Sequence, residues 1–172
     1  LGNKRAMTDP LRALGDIALD QGDYARAAAR FTESLALARE LHLPHLTAWV
    51  LHCLGEVARW RGDYSRAIAL HEEALRLAAG DKVSTAATRE CLGFVMLELG
   101  DYTRAAALFT ESLAVLWEMR YKNLVAYCLE GLAGVAQAYG QFERAARLLG
   151  AVARLRTANG VQLPPMKRAA YD

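Results

Sequence analysis

One phrase recurs four times along the chain: Gly22-Asp23-Tyr24 with Ala27, Gly62-Asp63-Tyr64 with Ala67, Gly100-Asp101-Tyr102 with Ala105, and Gly140-Gln141-Phe142 with Ala145. Counted on the aromatic residue, the copies stand 40, 38 and 40 residues apart. Self-similarity at such a period marks stacked supersecondary units, each too small to bury its own apolar face and covered instead by its neighbours. The function of such a chain is to be sought on the surface of the stack.

Each copy reads as a pair of helices, A and B. In the first, Leu11, Leu14, Gly15 and Ala18 recur at i, i+3, i+4 and i+7, which draws one apolar stripe along helix A. Gly22 ends that helix, because a glycine just past the last turn can turn left-handed and leave the final carbonyls bonded. Asp23 then caps helix B, its carboxylate accepting backbone N–H bonds and meeting the helix dipole. Helix B runs through Tyr24, Ala27, Ala28, Phe31, Ser34, Leu35 and Ala38 to Leu41, and His42, Leu43 and Pro44 close the unit.

Small residues keep a fixed phase: Gly15, Gly55 and Gly93 in helix A, and Ala27, Ala67, Ala105 and Ala145 in helix B. There two helix axes can approach closely. Leu14, Leu54, Leu92 and Leu132 supply bulk from one side, and Tyr24, Tyr64, Tyr102 and Phe142, with Phe31 and Phe109, supply it from the other. Alternation of small and large is how helix surfaces interlock at native density, so these positions read as core.

The pattern Leu-Gly, then Gly-Asp-Tyr-x-x-Ala, an aromatic four residues on and a small residue three beyond, resembles the tetratricopeptide repeat (TPR); here it is Leu14, Gly15, Gly22, Asp23, Tyr24, Ala27, Phe31 and Ser34. The second copy has Leu54, Gly55, Gly62, Tyr64, Ala67 and Ala74, and the third Leu92, Gly93, Gly100, Tyr102, Ala105, Phe109 and Ser112. The fourth keeps Leu132, Gly140, Phe142 and Ala145, but has Ala133 for the glycine and Gln141 for the capping aspartate, a loss of about 1 kcal/mol in helix initiation. The resemblance implies an all-α fold, a right-handed superhelical α-solenoid of about four helix-turn-helix repeats over residues 8–43, 47–81, 85–121 and 125–160. Register assigns residues 1–7 to the end of a preceding repeat, and Pro164-Pro165 opens a further helix over 164–172. The segment thus reads as part of a larger array, with apolar ends through which it would self-associate.

Composition fits a soluble, cytoplasmic array: 53% of residues are hydrophobic and 23% charged, and no apolar run approaches the length of a membrane span. A net charge of +2, with basic residues scattered among acidic ones, argues against direct nucleic-acid contact. Cys53, Cys91 and Cys128 fall in helix A among apolar neighbours and read as reduced core thiols. His42, His45, His52 and His71 lack a ligand spacing that would make a metal site. Phosphate-loop, nucleophile-elbow and zinc-protease motifs are missing, so no enzyme and no cofactor is expected. Arg61-Gly62-Asp63 mimics an adhesion tripeptide, but its phase makes it the turn every unit needs. Glu72-Glu73 and Glu130 read as solvated surface charge, and Trp117, on helix B, as a packed residue.

In arrays that resemble this one, helices A line the concave face, and repeat phase then assigns its positions. The first unit offers Asp9, Arg12, Asp16, Leu19 and Asp20, and the second Trp49, His52, Glu56, Arg59 and Trp60. The third offers Ala87, Glu90, Phe94, Leu97 and Glu98, and the fourth Tyr127, Glu130, Gly134, Gln137 and Ala138. Among them Arg12, Asp16, Trp49, His52, Glu56, Arg59, Trp60, Glu90, Phe94, Glu98, Tyr127 and Glu130 are the expected partner-binding residues. Large aromatics off the core phase, with an arginine nearby, are typical anchors of recognition surfaces, though packing beneath long neighbouring side chains would also account for them.

A second resemblance covers mainly residues 123–172: LEGLAGVAQAYGQFERAARLLG from Leu129 to Gly150, with the Asn159-Gly160 turn and Leu163-Pro164-Pro165, is similar to the last repeats of large bacterial signalling ATPases, including LuxR-type and SARP-type transcription regulators. It implies a non-enzymatic interaction and sensor module within a larger regulator, binding a protein segment or another domain of the parent protein. A small-molecule or peptide sensor with a pocket at Trp49, His52, Trp60 and Phe94, or a self-association scaffold, are the alternatives.

Overall fold

A computed structural model describes residues 2–160. Within them the chain is all-α: α1 (Gly2–Asp20), α2 (Tyr24–Glu40), α3 (Pro44–Trp60), α4 (Tyr64–Leu77), α5 (Lys82–Glu98), α6 (Tyr102–Glu118), α7 (Lys122–Ala138) and α8 (Phe142–Asn159). Odd-numbered helices are the A members and even-numbered helices the B members of helical repeats. The chain divides into two compact units, one ending at Ala78 with α1 to α4 and one beginning at Ala79 with α5 to α8.

Every A-to-B corner is built alike. The N–H of Gly22, Gly62, Gly100 and Gly140 returns to the carbonyl three residues back, and the next N–H, of Asp23, Asp63, Asp101 and Gln141, returns five residues back at 2.8–2.9 Å. This double bond pattern requires the glycine to turn left-handed, and φ lies between 70° and 80° at all four. Asp23, Asp63 and Asp101 then cap the next helix by accepting from the N–H of Arg26, Arg66 and Arg104 at 2.9, 3.2 and 3.1 Å. Gln141 makes no such cap, as its amide length predicts. Two B-to-A corners reuse the motif with a non-glycine as the left-handed residue, His42 at φ 52° and Arg120 at φ 60°. Each costs about 1 kcal/mol relative to glycine.

The helix-pair packing follows from the small residues. A Cβ on Gly15 would stand 2.4 Å from the Phe31 ring, and one on Gly55 would stand 2.5 Å from the His71 ring. In the second unit Phe109 is clasped from both sides, since a Cβ on Gly93 or Gly131 would meet its ring at 2.8 or 2.2 Å. Phe31, His71 and Phe109, all at one repeat phase, are fully buried. Around Phe31 the first unit's core gathers Ala18, Ala27, Val50, Leu51, Val57 and Ala74. In the second unit Leu116, Val125 and Cys128 form one cluster and Ala133, Ala136 and Ala145 another.

Several expectations change. Leu14 is 41% exposed and Phe142 71% exposed, so neither supplies core bulk, although Leu54 and Leu92 do. Tyr24 is covered because Trp60 of the next A helix stacks on it at 6.5 Å, and Tyr102 because Tyr139 meets it edge-on at 5.7 Å. No described helix precedes α1 or follows α8 to do the same for Leu14 or Phe142. The break expected before Thr8 is absent: α1 is continuous from Gly2 with Pro10 inside it. Proline removes one helical bond, to the carbonyl of Ala6, and Ala6 is exposed so that water can take it. Helices α3, α5 and α7 begin at Pro44, Lys82 and Lys122, ahead of 47, 85 and 125, since Pro44 suits a first turn and Asp81 caps α5. The helix expected over 164–172 lies outside the described residues.

Two glycine replacements separate close approach from helix propensity. Gly131→Ala is expected to lower unfolding stability by about 2 kcal/mol through overpacking against Phe109. Gly150→Ala, in α8 with nothing within 4 Å, is expected to raise it by about 1 kcal/mol. Urea titration of both variants checks the pair.

Candidate functional site

In the first unit the expected residues lie on α1 and α3, and the structure brings them together around buried charge. Arg12 reaches Asp16 at 3.4 Å and Asp9 at 3.7 Å, and its guanidinium lies 4.9 Å over the Trp49 ring. Trp49 in turn meets the core ring of Phe31 edge-on at 6.1 Å. Two to three turns further along α3, Arg59 forks onto Glu56 with Nε donating to Oε1 and Nη2 to Oε2, both at 3.0 Å. Arg59 is only 5% exposed, and its guanidinium lies 4.3 Å over Trp60. The tryptophans are thus half-buried plates with a cation on one face.

His71 sits beneath this row. It occupies the phase of Phe31 and Phe109, is fully buried, and neither ring nitrogen makes a hydrogen bond. Its Nε2 stands 3.7 Å from Glu56 Oε1, and His52 meets it edge-on at 5.7 Å. Burial pushes the Glu56 carboxyl up, but the Arg59 charge and hydrogen bonds, with His71 adding to them, outweigh it and hold the carboxyl well below the usual range. Asp16 moves the other way: burial, reinforced by Asp20 and opposed by Arg12, raises it. Cys53, walled in between these acids, has its thiol pushed up by burial and by the charges of Asp16 and Glu56.

The second unit presents its own A-helix face on α5 and α7. Glu90 is 3% exposed, with the Cys91 thiol donating to it at 3.8 Å. Phe94 packs edge-on against Phe109 at 4.9 Å, whereas Glu98 is exposed. Glu130 is no solvated surface charge: its side chain is 8% exposed and ion-paired with Arg156, whose guanidinium lies 5.8 Å over Tyr127. A helix-B residue has moved in to neutralise it. Burial, with Glu90 adding to it, raises the Cys128 thiol.

All three cysteines are free and buried. Among the described residues no three of His, Cys, Asp and Glu gather as metal ligands, and no helix is long and apolar enough to cross a membrane. Trp117, expected to pack, is 66% exposed. Two residues of the charged faces escaped the sequence reading, His71 and Arg156. Phase alone carried their signal, because His71 interrupts the series Phe31 and Phe109, and Arg156 stands where Ala38, Ala78 and Leu116 are buried.

Glu56→Gln removes the carboxylate charge from a buried, forked ion pair with Arg59, an expected loss of about 3 kcal/mol at pH 7. The folded-state value is depressed, so this stabilisation is complete above the ordinary value of 4.5 and fades as pH falls through the folded value. Wild type and variant should therefore converge in urea midpoint under strong acid.

Comparison with known proteins places this geometry. Residues 6–170 match the MalT-like TPR region. Among solved structures, BtubC (BKLC) from P. vanneervenii is similar, at 19% identity over 92% of this chain and 83% of that one, with a TM-score of 0.62. A Podosopora anserina protein described as a kinesin light chain, with nearly identical TPR-like repeats, gives 18% identity over 89% of this chain and 76% of its own, with a TM-score of 0.64. At such identity these structures share the fold alone. Among curated proteins none matches significantly. With the family pattern spanning nearly all of the sequence, and the glycine corners and helix pairs in place, the chain belongs to the MalT-like TPR region family.

Proposed function

We propose that the protein is a non-enzymatic, protein-binding module of a larger bacterial regulator, and that the A-helix face of its first unit grips a polypeptide segment of a partner or of another domain of the parent protein. A TPR-like fold is a protein-interaction fold, which supports the general reading. The observation that carries the particular one is the fixed row on α1 and α3: Arg12 over Trp49, then Glu56 clamping Arg59 over Trp60. Arginine and tryptophan are the side chains that most often dominate binding energy, and here the rotamers are locked before a partner arrives. Arg12 and Asp16 keep over a third of their side-chain surface open, so polar groups of a peptide backbone can reach charges already oriented. The second unit repeats the theme with Glu90, Phe94, Glu98, Tyr127 and Glu130 on its own face. Cytoplasmic location and transcription-regulatory context belong to this proposal as the setting in which such modules work.

Selection of displayed peptides on the wild-type chain, followed by calorimetry, tests the assignment. Arg12→Glu and His52→Ala alter the open side of the face while leaving the Glu56–Arg59 clamp. Both variants lose a contact of the row, Arg12 with Asp16 and Trp49 and His52 with His71, so they are expected to stay folded with a slightly lowered melting temperature and to weaken selected peptides by about tenfold or more. Unchanged affinity in both variants, or no enrichment on wild type, would reject the α1–α3 face as the binding surface.

A further inference from the structure

The second unit carries a surface that folding does not require. Trp117 ends α6 at 66% exposure, at a helical phase where the first and fourth repeats place Arg39 and Thr157. Three residues on, Arg120 adopts φ 60° at a corner where Gly160 turns left-handed at φ 62° and Gly80 at φ 102°, and where His42 is the other non-glycine. Its N–H bonds to the Trp117 carbonyl at 3.1 Å, so the strained turn fixes both residues relative to one another. A non-glycine held in a conformation that glycine would adopt without strain points to a use for the side chain.

Trp117, Arg120, Lys122, Val125 and Leu155 line a cleft of about 340 Å³. Its floor is aliphatic, its rim holds two cations, and no carboxylate is among these lining residues; exposed Glu118 is not one of them. Neither Arg120 nor Lys122 has a carboxylate partner among the described residues. A space of this size sits at the lower end of ligand-sized clefts and would admit one or two aliphatic side chains. Val125 is buried beneath it, while Trp117 stays largely open to solvent.

We propose that this cleft is a second docking site, separate from the α1–α3 face, for a short acidic segment of a partner protein that inserts a leucine-like side chain against Trp117, Val125 and Leu155 while its carboxylates meet Arg120 and Lys122. Charge complementarity selects the occupant: two bare cations around an apolar floor attract carboxylates beside an aliphatic group. Two cations beside one cleft are too few to track a phosphate backbone, which needs a run of them.

Fluorescence polarisation with a short labelled peptide, a leucine pair flanked by glutamates, tests this. Binding to the full chain is expected, weakened by salt, and weakened about tenfold or more by Trp117→Ala and by the double change Arg120→Glu with Lys122→Glu. Arg120→Gly should weaken the peptide while raising the urea midpoint, which a merely structural arginine would not do. Arg12→Glu should leave this peptide unaffected, so failure here is distinguishable from failure of the first-unit face. The proposal is overturned by no wild-type binding at millimolar peptide, by equal binding to the charge-reversed variant, by equal binding of a peptide with glutamine in place of glutamate, or by preference for oligothymidylate over the peptide.

Discussion

The contact between a helix-A glycine and a helix-B ring is what the rest of the structure depends on. At Gly15 and Phe31, at Gly55 and His71, and at Gly93 and Phe109, a single added methyl group would enter the ring. Close-packed interiors leave no slack for that, so the glycine fixes how near the two axes lie and thereby which residues of helix A reach the open face. The left-handed corner glycines do a different job, satisfying the last carbonyls so that the chain can reverse within a few residues. Spacing is set by one glycine and reversal by the other.

Placing histidine at the ring position of the second repeat changes the first unit's chemistry without changing its geometry. A buried imidazole fills the same slot against Gly55 but lies 3.7 Å from Glu56, where phenylalanine would offer only carbon. Glu56 is held ionised by Arg59, whose guanidinium lies over the Trp60 ring. In the second unit the corresponding balance is met differently: Phe109 stays aromatic and apolar, and the buried Glu130 borrows its cation from α8 through Arg156. Each unit thus pairs one buried acid of its A-helix face with an arginine, Glu56 with Arg59 and Glu130 with Arg156, which costs desolvation and returns orientation.

Periodicity makes the helices, the corner glycines and the core ring phase legible, because those features recur at one phase and chance matches do not. What repetition does not encode was harder to read. Trp117, on helix B, reads as packed, yet its phase is one that Arg39 and Thr157 share, and those residues need no burial. Phe142 has the right letter at the right phase, but a ring is covered only if a following helix supplies the cover. Glu130 reads as a surface charge in the sequence because its partner is an arginine twenty-odd residues away, on a helix whose inward face is otherwise small or aliphatic. Candidate positions such as Trp49 and Trp60 were found by phase, while their cation partners followed from the turn of α1 and α3.

The buried thiols carry a practical consequence. Cys53 lies in the first unit and Cys91 and Cys128 in the second, all shielded, and Cys53 and Cys128 are further disfavoured as thiolates. Alkylation needs the thiolate as nucleophile and room for the reagent, so each can be modified only when the helices around it part. The chain therefore holds native reporters of local opening in both halves, and the pace of their modification would show which half breathes first.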